Sequence, residues 1–207
     1  MKIVSWNLNH RAREKPMPPN LAEAIAFLAA DVLVLNEYVD GPSRDEFKAG
    51  LETIGLKHAA LSSAIQGENQ VMIASRFAHQ AGTLEPPRYT AAATSNFLHR
   101  QFDALEVVAL RTPACADKKD RVGYWNELCA IISLAERRNI VFIGDLNANP
   151  QQPKKTGGAA LRRLLLQGWQ IPEPAGAWSN PTIRISFMPE KAHAIHLACP
   201  RLLIHSL

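Results

Sequence analysis

Ile140-Val141-Phe142-Ile143-Gly144-Asp145-Leu146-Asn147-Ala148-Asn149-Pro150 constrains this chain more than any other stretch. Four apolar residues, rich in β-branching, run into a glycine, an acid and an amide, and a proline ends the regular structure. Such a run reads as a buried strand that delivers Asp145 and Asn147 to the mouth of a sheet. On an extended backbone, side chains two residues apart point to the same side. The acid and the amide could then hold a metal-bound water and accept its hydrogen bonds. The same residues also fit a strand that ends in an Asx turn, a common use of Asp and Asn at chain reversals.

With 207 residues the chain can bury one sizeable core, so a single domain over 1–207 is the simplest reading. The 47% apolar and 20% charged shares are those of a globular protein, and no apolar run reaches the length of a membrane span. Met1-Lys2-Ile3-Val4-Ser5-Trp6 reads as a first strand, without the long apolar stretch of a secretory signal. Cys115, Cys129 and Cys199 are unclustered and odd in number, which predicts reduced thiols and a cytoplasmic protein. A net charge of +4 suits a polyanionic partner such as nucleic acid, without saying where the cations lie. The oligomeric state is open at this level.

Strands and helices alternate along the chain. Lys2 to Asn7 reads as a strand, followed by a basic, proline-rich loop from Arg11 to Pro19. Asn20 and Glu23 form an amide variant of the capping box, ahead of Leu21, Ala24, Ile25 and Leu28 at helical spacing. Val32-Leu33-Val34-Leu35 is the next buried strand and delivers Asn36-Glu37 at its end. Ser43-Arg44-Asp45-Glu46 opens a second helix, running to about Leu51. Lys57 to Leu61, Gln70 to Ser75, Ser95 to Gln101 and Leu105 to Leu110 read as strands, the last two as an antiparallel pair that brings Arg111 to its end. Asp120 caps a long amphipathic helix whose last turn holds Arg137 and Arg138, and Thr156 caps another that runs to about Gln167. Prolines divide Ile171 to Glu190 into short extended pieces. The layout predicts an α/β (α+β) fold, a four-layer α/β/β/α sandwich of two mixed sheets. Asn7, Glu37, Arg111 and Asp145/Asn147 all stand at strand ends, and a shared edge would gather them into one cleft.

Four of these stretches, in order, resemble the motifs of the endonuclease/exonuclease/phosphatase superfamily, metal-dependent phosphodiesterases related to pancreatic deoxyribonuclease and abasic-site endonucleases. Met1 to Asn9 resembles its opening motif. Asp31-Val32-Leu33-Val34-Leu35-Asn36-Glu37 resembles the second, where the family more often has Gln before the Glu. Asn69 to Arg76 is similar to its Gly-Val-Ala-Ile-x-Ser-Arg strand, and Ile143 to Ala148 to its Gly-Asp-x-Asn motif. The resemblance implies Mg²⁺ or Mn²⁺ and hydrolysis of phosphodiesters, most readily in nucleic acid. It implies Glu37 as principal metal ligand, with Asn7 beside it on the phosphate or the metal shell. Asp145 would orient or deprotonate the attacking water, and Asn147 would bond a phosphoryl oxygen. Arg111 stands where many relatives carry a His, and its guanidinium could clamp a phosphate. A solvated cation at a strand end is the other reading of Arg111.

The later family motifs are changed. Ala194-Ile195-His196-Leu197 resembles an Ile-Asp-His stretch without its Asp, and His205-Ser206-Leu207 stands where a Ser-Asp-His strand would follow. A shortened domain with its last strand missing is therefore expected. Two alternatives to a nuclease stay open: a non-catalytic or truncated relative that keeps the fold and the metal site, and a phosphatase acting on a small phosphorylated lipid or sugar. His193, His196 and His205 are weak substitutes for the missing His. His10, His58, His79 and His99 read as structural, and Trp6, Trp125, Trp169 and Trp178 as core or rim aromatics.

Overall fold

A computed structural model describes residues 1–8, 17–89, 91–112, 118–152 and 154–170, together with the backbone of Arg184–Pro189 and His196–Ala198. In chain order the elements are β1 (Lys2–Asn7), α1 (Leu21–Phe27), β2 (Val32–Tyr38), a 3-10 turn at Pro42–Arg44, α2 (Asp45–Thr53), β3 (His58–Leu61), β4 (Gln70–Ser75) and β5 (Gln80–Ala81). There follow α3 (Ala91–Ser95), β6 (Phe97–Gln101), β7 (Glu106–Arg111), α4 (Lys118–Leu134), β8 (Ile140–Asp145), α5 (Thr156–Leu166), β9 (Trp169–Gln170), β10 (Arg184–Pro189) and β11 (His196–Ala198).

Unbroken apolar runs become the strands buried on both faces. Every residue of β2, β4 and β8 is buried. One sheet has the order β11-β1-β2-β4-β3 and the other β5-β6-β7-β8-β10-β9. Between them lies a core of Ile3, Val32, Val34, Val71, Ile73, Val107, Ala109, Val141 and Ile143, with Leu98, Phe102 and Leu105. The outer face of the first sheet packs Leu33, Leu35 and Met72 against Leu21 and Ile25 of α1 and Phe47 and Leu51 of α2. That of the second packs Val108, Leu110 and Phe142 against Tyr124, Leu128 and Ile132 of α4 and Leu161 and Leu164 of α5. The result is the expected four-layer sandwich. At about 1.5–3 kcal/mol per large apolar side chain buried, these three cores dominate the favourable side of folding.

Several local expectations are corrected. Asn20 and Lys155 occupy the N-cap positions of α1 and α5, without a side-chain capping bond, and Thr156 lies inside α5. The helix α4 begins at Lys118, two residues ahead of Asp120, and ends at Leu134, before Arg137 and Arg138. Arg138 instead reaches Glu106, donating to its carboxylate from Nε at 2.8 Å. Ser95 closes the short helix α3 rather than opening a strand. Caps contribute only about 1 kcal/mol, so packing of the apolar faces sets these boundaries.

In the proline-divided stretch, β10 lies antiparallel to β8, with Arg184 level with Asp145. The backbone of β11 pairs with Lys2–Val4 of β1. His10, Cys115, Trp178, His193, Cys199, His205 and the Arg11-Arg13-Lys15 loop lie outside the described residues, so the expectation of a shortened C-terminal end falls there too. Among the described residues, no helix is long and apolar enough to cross a membrane.

Candidate active site

Parallel pairing aligns the polar strand ends. In the first sheet β1 and β2 run parallel, with Asn7 level with Asn36. In the second, β7 and β8 run parallel, with Arg111 level with Asp145. Both pairs therefore present their C-terminal ends together, and face-to-face stacking brings the two edges into contact. Asn7 Nδ2 donates to Asp145 Oδ2 at 2.7 Å, joining β1 to β8. Arg111 Nε donates to Glu37 Oε1 at 3.1 Å, joining β7 to β2. Both bonds cross from one sheet to the other.

Glu37 reaches this edge because β2 bulges there. Asn36 is level with Val71 and Tyr38 with Gln70, leaving Glu37 as the extra residue. Its φ of 60° is the left-handed conformation that L side chains rarely adopt. A bulge re-aims a side chain that strict alternation would send elsewhere, and backbone strain of this kind gathers at functional sites. Glu37 remains only 5% exposed. Its ion pair with Arg111 is largely sheltered from water, so the reading of Arg111 as a solvated cation is overturned.

Asp145 and Asn147 come together through the Asx turn, the second of the two expected readings, and not along an extended strand. The strand ends at Asp145, and Asn147 has a φ of 45°. The Asn147 backbone N–H donates to Asp145 Oδ1 at 3.1 Å, which is an Asx turn. The turn and the site are thus the same structure. Asn147 Nδ2 donates to Thr112 O at 3.2 Å, and Thr112 Oγ1 donates to Leu146 O at 2.6 Å, so Thr112 clamps the turn. Burial pushes the Asp145 carboxyl above the usual carboxylate range, and the Glu37 charge adds to this. The Asn147 N–H, the Arg111 charge and the Asn7 amide oppose the shift without cancelling it.

No local pattern pointed to Thr112 or to the role of Asn36. Asn36 is wholly buried, its Nδ2 donates to Ser5 Oγ at 3.2 Å, and its Oδ1 has no hydrogen-bond partner among the described residues. A Cβ on Gly144 would lie 3.1 Å from that oxygen and 1.9 Å from Leu110 O, so the glycine ahead of Asp145 is what lets the strands and sheets close beneath the site.

Glu37, Asp145, Asn7 and Asn147 offer oxygen donors, the chemistry that suits a hard divalent cation. Among the described residues no cluster of three or more His, Cys, Asp or Glu could form an all-protein metal cage. Two carboxylates suit an ion that keeps several waters, as Mg²⁺ does. The Arg111 guanidinium lies against one of them, Glu37.

Comparison with known proteins identifies the family and the fold. The model of the Endonuclease/Exonuclease/phosphatase family matches residues 4–189. The chain belongs to this family. Endonuclease/exonuclease/phosphatase proteins are hydrolytic nucleases and phosphatases. A structure of the 3′ phosphatase NExo from Neisseria, bound to a product DNA hairpin, is similar with a TM-score of 0.65 and 18% identity, over 92% of this chain and 87% of that one. An AP endonuclease from Archaeoglobus fulgidus gives 0.62 and 14%, over 91% and 86%. The endonuclease domain of TRAS1, a telomere-specific non-LTR retrotransposon, gives 0.58 and 17%, over 90% and 84%. At such identities these likenesses speak to the fold. No curated protein matches the chain in sequence.

Proposed function

We propose that this endonuclease/exonuclease/phosphatase protein hydrolyses phosphodiester bonds in nucleic acid with a divalent cation, Mg²⁺ or Mn²⁺. One observation carries the reading: side chains from four strand ends, two in each sheet, meet through the Asn7–Asp145 and Arg111–Glu37 contacts. Glu37, with Asn7, would hold the cation, which when bound neutralises the charge that builds on the phosphoryl oxygens. Asp145 would orient the attacking water and take its proton. The hydrogen bonds from Asn7 Nδ2 and Asn147 N fix the direction of that carboxylate. The raised Asp145 pKa favours proton acceptance over the behaviour of an ordinary exposed aspartate. Asn147, exposed at the edge, would bond a phosphoryl oxygen, and Arg111 would supply the cationic clamp.

Nucleic acid as substrate draws support from the net charge of +4 and from relatives named as a DNA-bound 3′ phosphatase and an AP endonuclease. The family match over residues 4–189 supports one domain spanning the chain, and the unclustered cysteines favour the cytoplasm. The test is cleavage of a duplex oligonucleotide carrying an abasic site, and of the same duplex undamaged, with Mg²⁺ and then Mn²⁺. Turnover should stop in EDTA and fall by about a hundredfold or more in Glu37→Ala and in Asp145→Ala. Turnover indifferent to both substitutions refutes the assignment, and cation binding without any turnover identifies a binding protein instead.

A further inference from the structure

We propose that Arg111 is a built-in stand-in for the divalent cation: guanidinium and cation exchange on Glu37, and cation binding hands the guanidinium over to the substrate phosphate. The proposal rests on the reading above, in which Glu37 is the principal metal ligand.

Geometry and charge both point this way. Arg111 Nε lies 3.1 Å from Glu37 Oε1, with the two side chains only 12% and 6% exposed. A single N–H···O bond joins the pair, so one displaced contact frees the guanidinium from Glu37. Two carboxylates, Glu37 and Asp145, act on each other at this edge, and Arg111 acts on both. Among the described residues, one guanidinium against two carboxylates leaves a surplus of one negative charge. A divalent ion would turn that into a surplus of one positive charge, which one phosphodiester would cancel.

The surroundings restrict the exchange to side-chain motion. The Arg111 backbone N–H donates to Asn96 O at 2.9 Å, and the following residue donates from its N–H to Asp145 O at 2.9 Å, so the strand end is fixed. Glu37 is fixed by its bulge. A cation that takes Glu37 Oε1 as a ligand displaces the guanidinium from that oxygen. The planar fork of donors then released matches a phosphate better than a single carboxylate oxygen.

The test is Mn²⁺ binding without substrate, read from the electron paramagnetic resonance signal of the free ion. The proteins compared are the wild type, Arg111→Met, Arg111→Lys and Glu37→Gln. Arg111→Met should bind Mn²⁺ about tenfold or more tightly than wild type, the scale set by removing one unit charge from contact range of a divalent ion. The same variant should lose hydrolysis, and Arg111→Lys should bind as the wild type does. Opposite effects on cation affinity and turnover are what a merely structural arginine would not produce. Unchanged or weaker binding in Arg111→Met overturns the handover. Glu37→Gln separates the two failures: if it leaves Mn²⁺ binding intact, the metal assignment itself is wrong, and if it abolishes binding, only the role of Arg111 is at stake. A second readout needs no variant to fold. The ¹⁵N-labelled Arg111 Nε–H resonance of the wild type should shift on saturation with Mg²⁺, and an unmoved resonance also overturns the proposal.

Discussion

Gly144→Ala tests the claim that the glycine before Asp145 is required by close approach of two backbones. Its φ is +148°, a conformation open to glycine and strained for alanine, and an added Cβ would sit 1.9 Å from Leu110 O and 2.9 Å from Leu110 C. Those atoms belong to the backbone of β7, which pairs with β8 in register, so they cannot swing aside as a side chain would. Backbone strain of this kind costs about 1–3 kcal/mol, and forced overpacking adds a similar about 1–3 kcal/mol. The expected loss is about 2–6 kcal/mol, a large share of a typical domain's 5–15 kcal/mol. Gly168 provides the control, because its φ is +91° and an added Cβ would meet nothing within 4 Å among the described residues. Gly168→Ala should therefore show the strain alone, about 1–2 kcal/mol. Urea unfolding of both variants, followed by tryptophan fluorescence, measures the difference. Equal losses in the two proteins would refute the steric argument, since of these two glycines it is Gly144 that faces a rigid backbone.

Asp145→Asn links stability to pH. The folded state holds the Asp145 proton more tightly than the unfolded chain does, so stability is lost as pH rises from 3.8 through the raised folded value. In EDTA the asparagine variant should gain on the wild type over that window, and a gap that does not change with pH would contradict the burial argument. Glu106 behaves in the opposite sense: burial acts to raise its pKa, but Arg138, Gln101 and His99 outweigh it and hold it below 4.5. Its stabilisation is present above 4.5 and lost as pH falls through the folded value, so Glu106→Gln should cost about 2 kcal/mol at neutral pH and flatten the acid limb of a pH–melting curve. Arg44 is 2% exposed, and its Nε donates to Val39 O at 2.9 Å in the loop just beyond Glu37. Arg44→Ala should cost about 3 kcal/mol in urea unfolding, and a loss under about 1 kcal/mol would show that the buried guanidinium does not brace the loop.

The roles read for the histidines and tryptophans depended on their neighbours. His99 accepts from the Leu84 N–H at Nδ1 and meets Glu106 Oε2 through Nε2 at 2.9 Å, a satisfied structural pair. Trp6, Trp125 and Trp169 are buried in the apolar layers. Neither Arg44 nor Asn36 could be recognised as buried from composition, because a polar residue enters the interior only when the folded chain brings it partners.

By itself the sequence determined the strands and the layers. Val32 to Leu35 and Ile140 to Ile143 are apolar without a break, and such runs lower their free energy chiefly by becoming central strands. It also determined which polar residues follow those strands, because chain order alone places Asn7, Glu37, Arg111 and Asp145 at their ends. Tertiary structure decided what those ends do to one another. Arg111 and Glu37 are 74 residues apart, and Asn7 and Asp145 are 138 apart, so no local pattern encodes either contact. The bulge that turns Glu37 and the left-handed residue that folds Asn147 back onto Asp145 are strained locally and persist because the packed sheets hold them. Propensity acts over a few neighbouring residues, whereas the charge balance at this edge depends on groups that only the stacking of two sheets brings within reach.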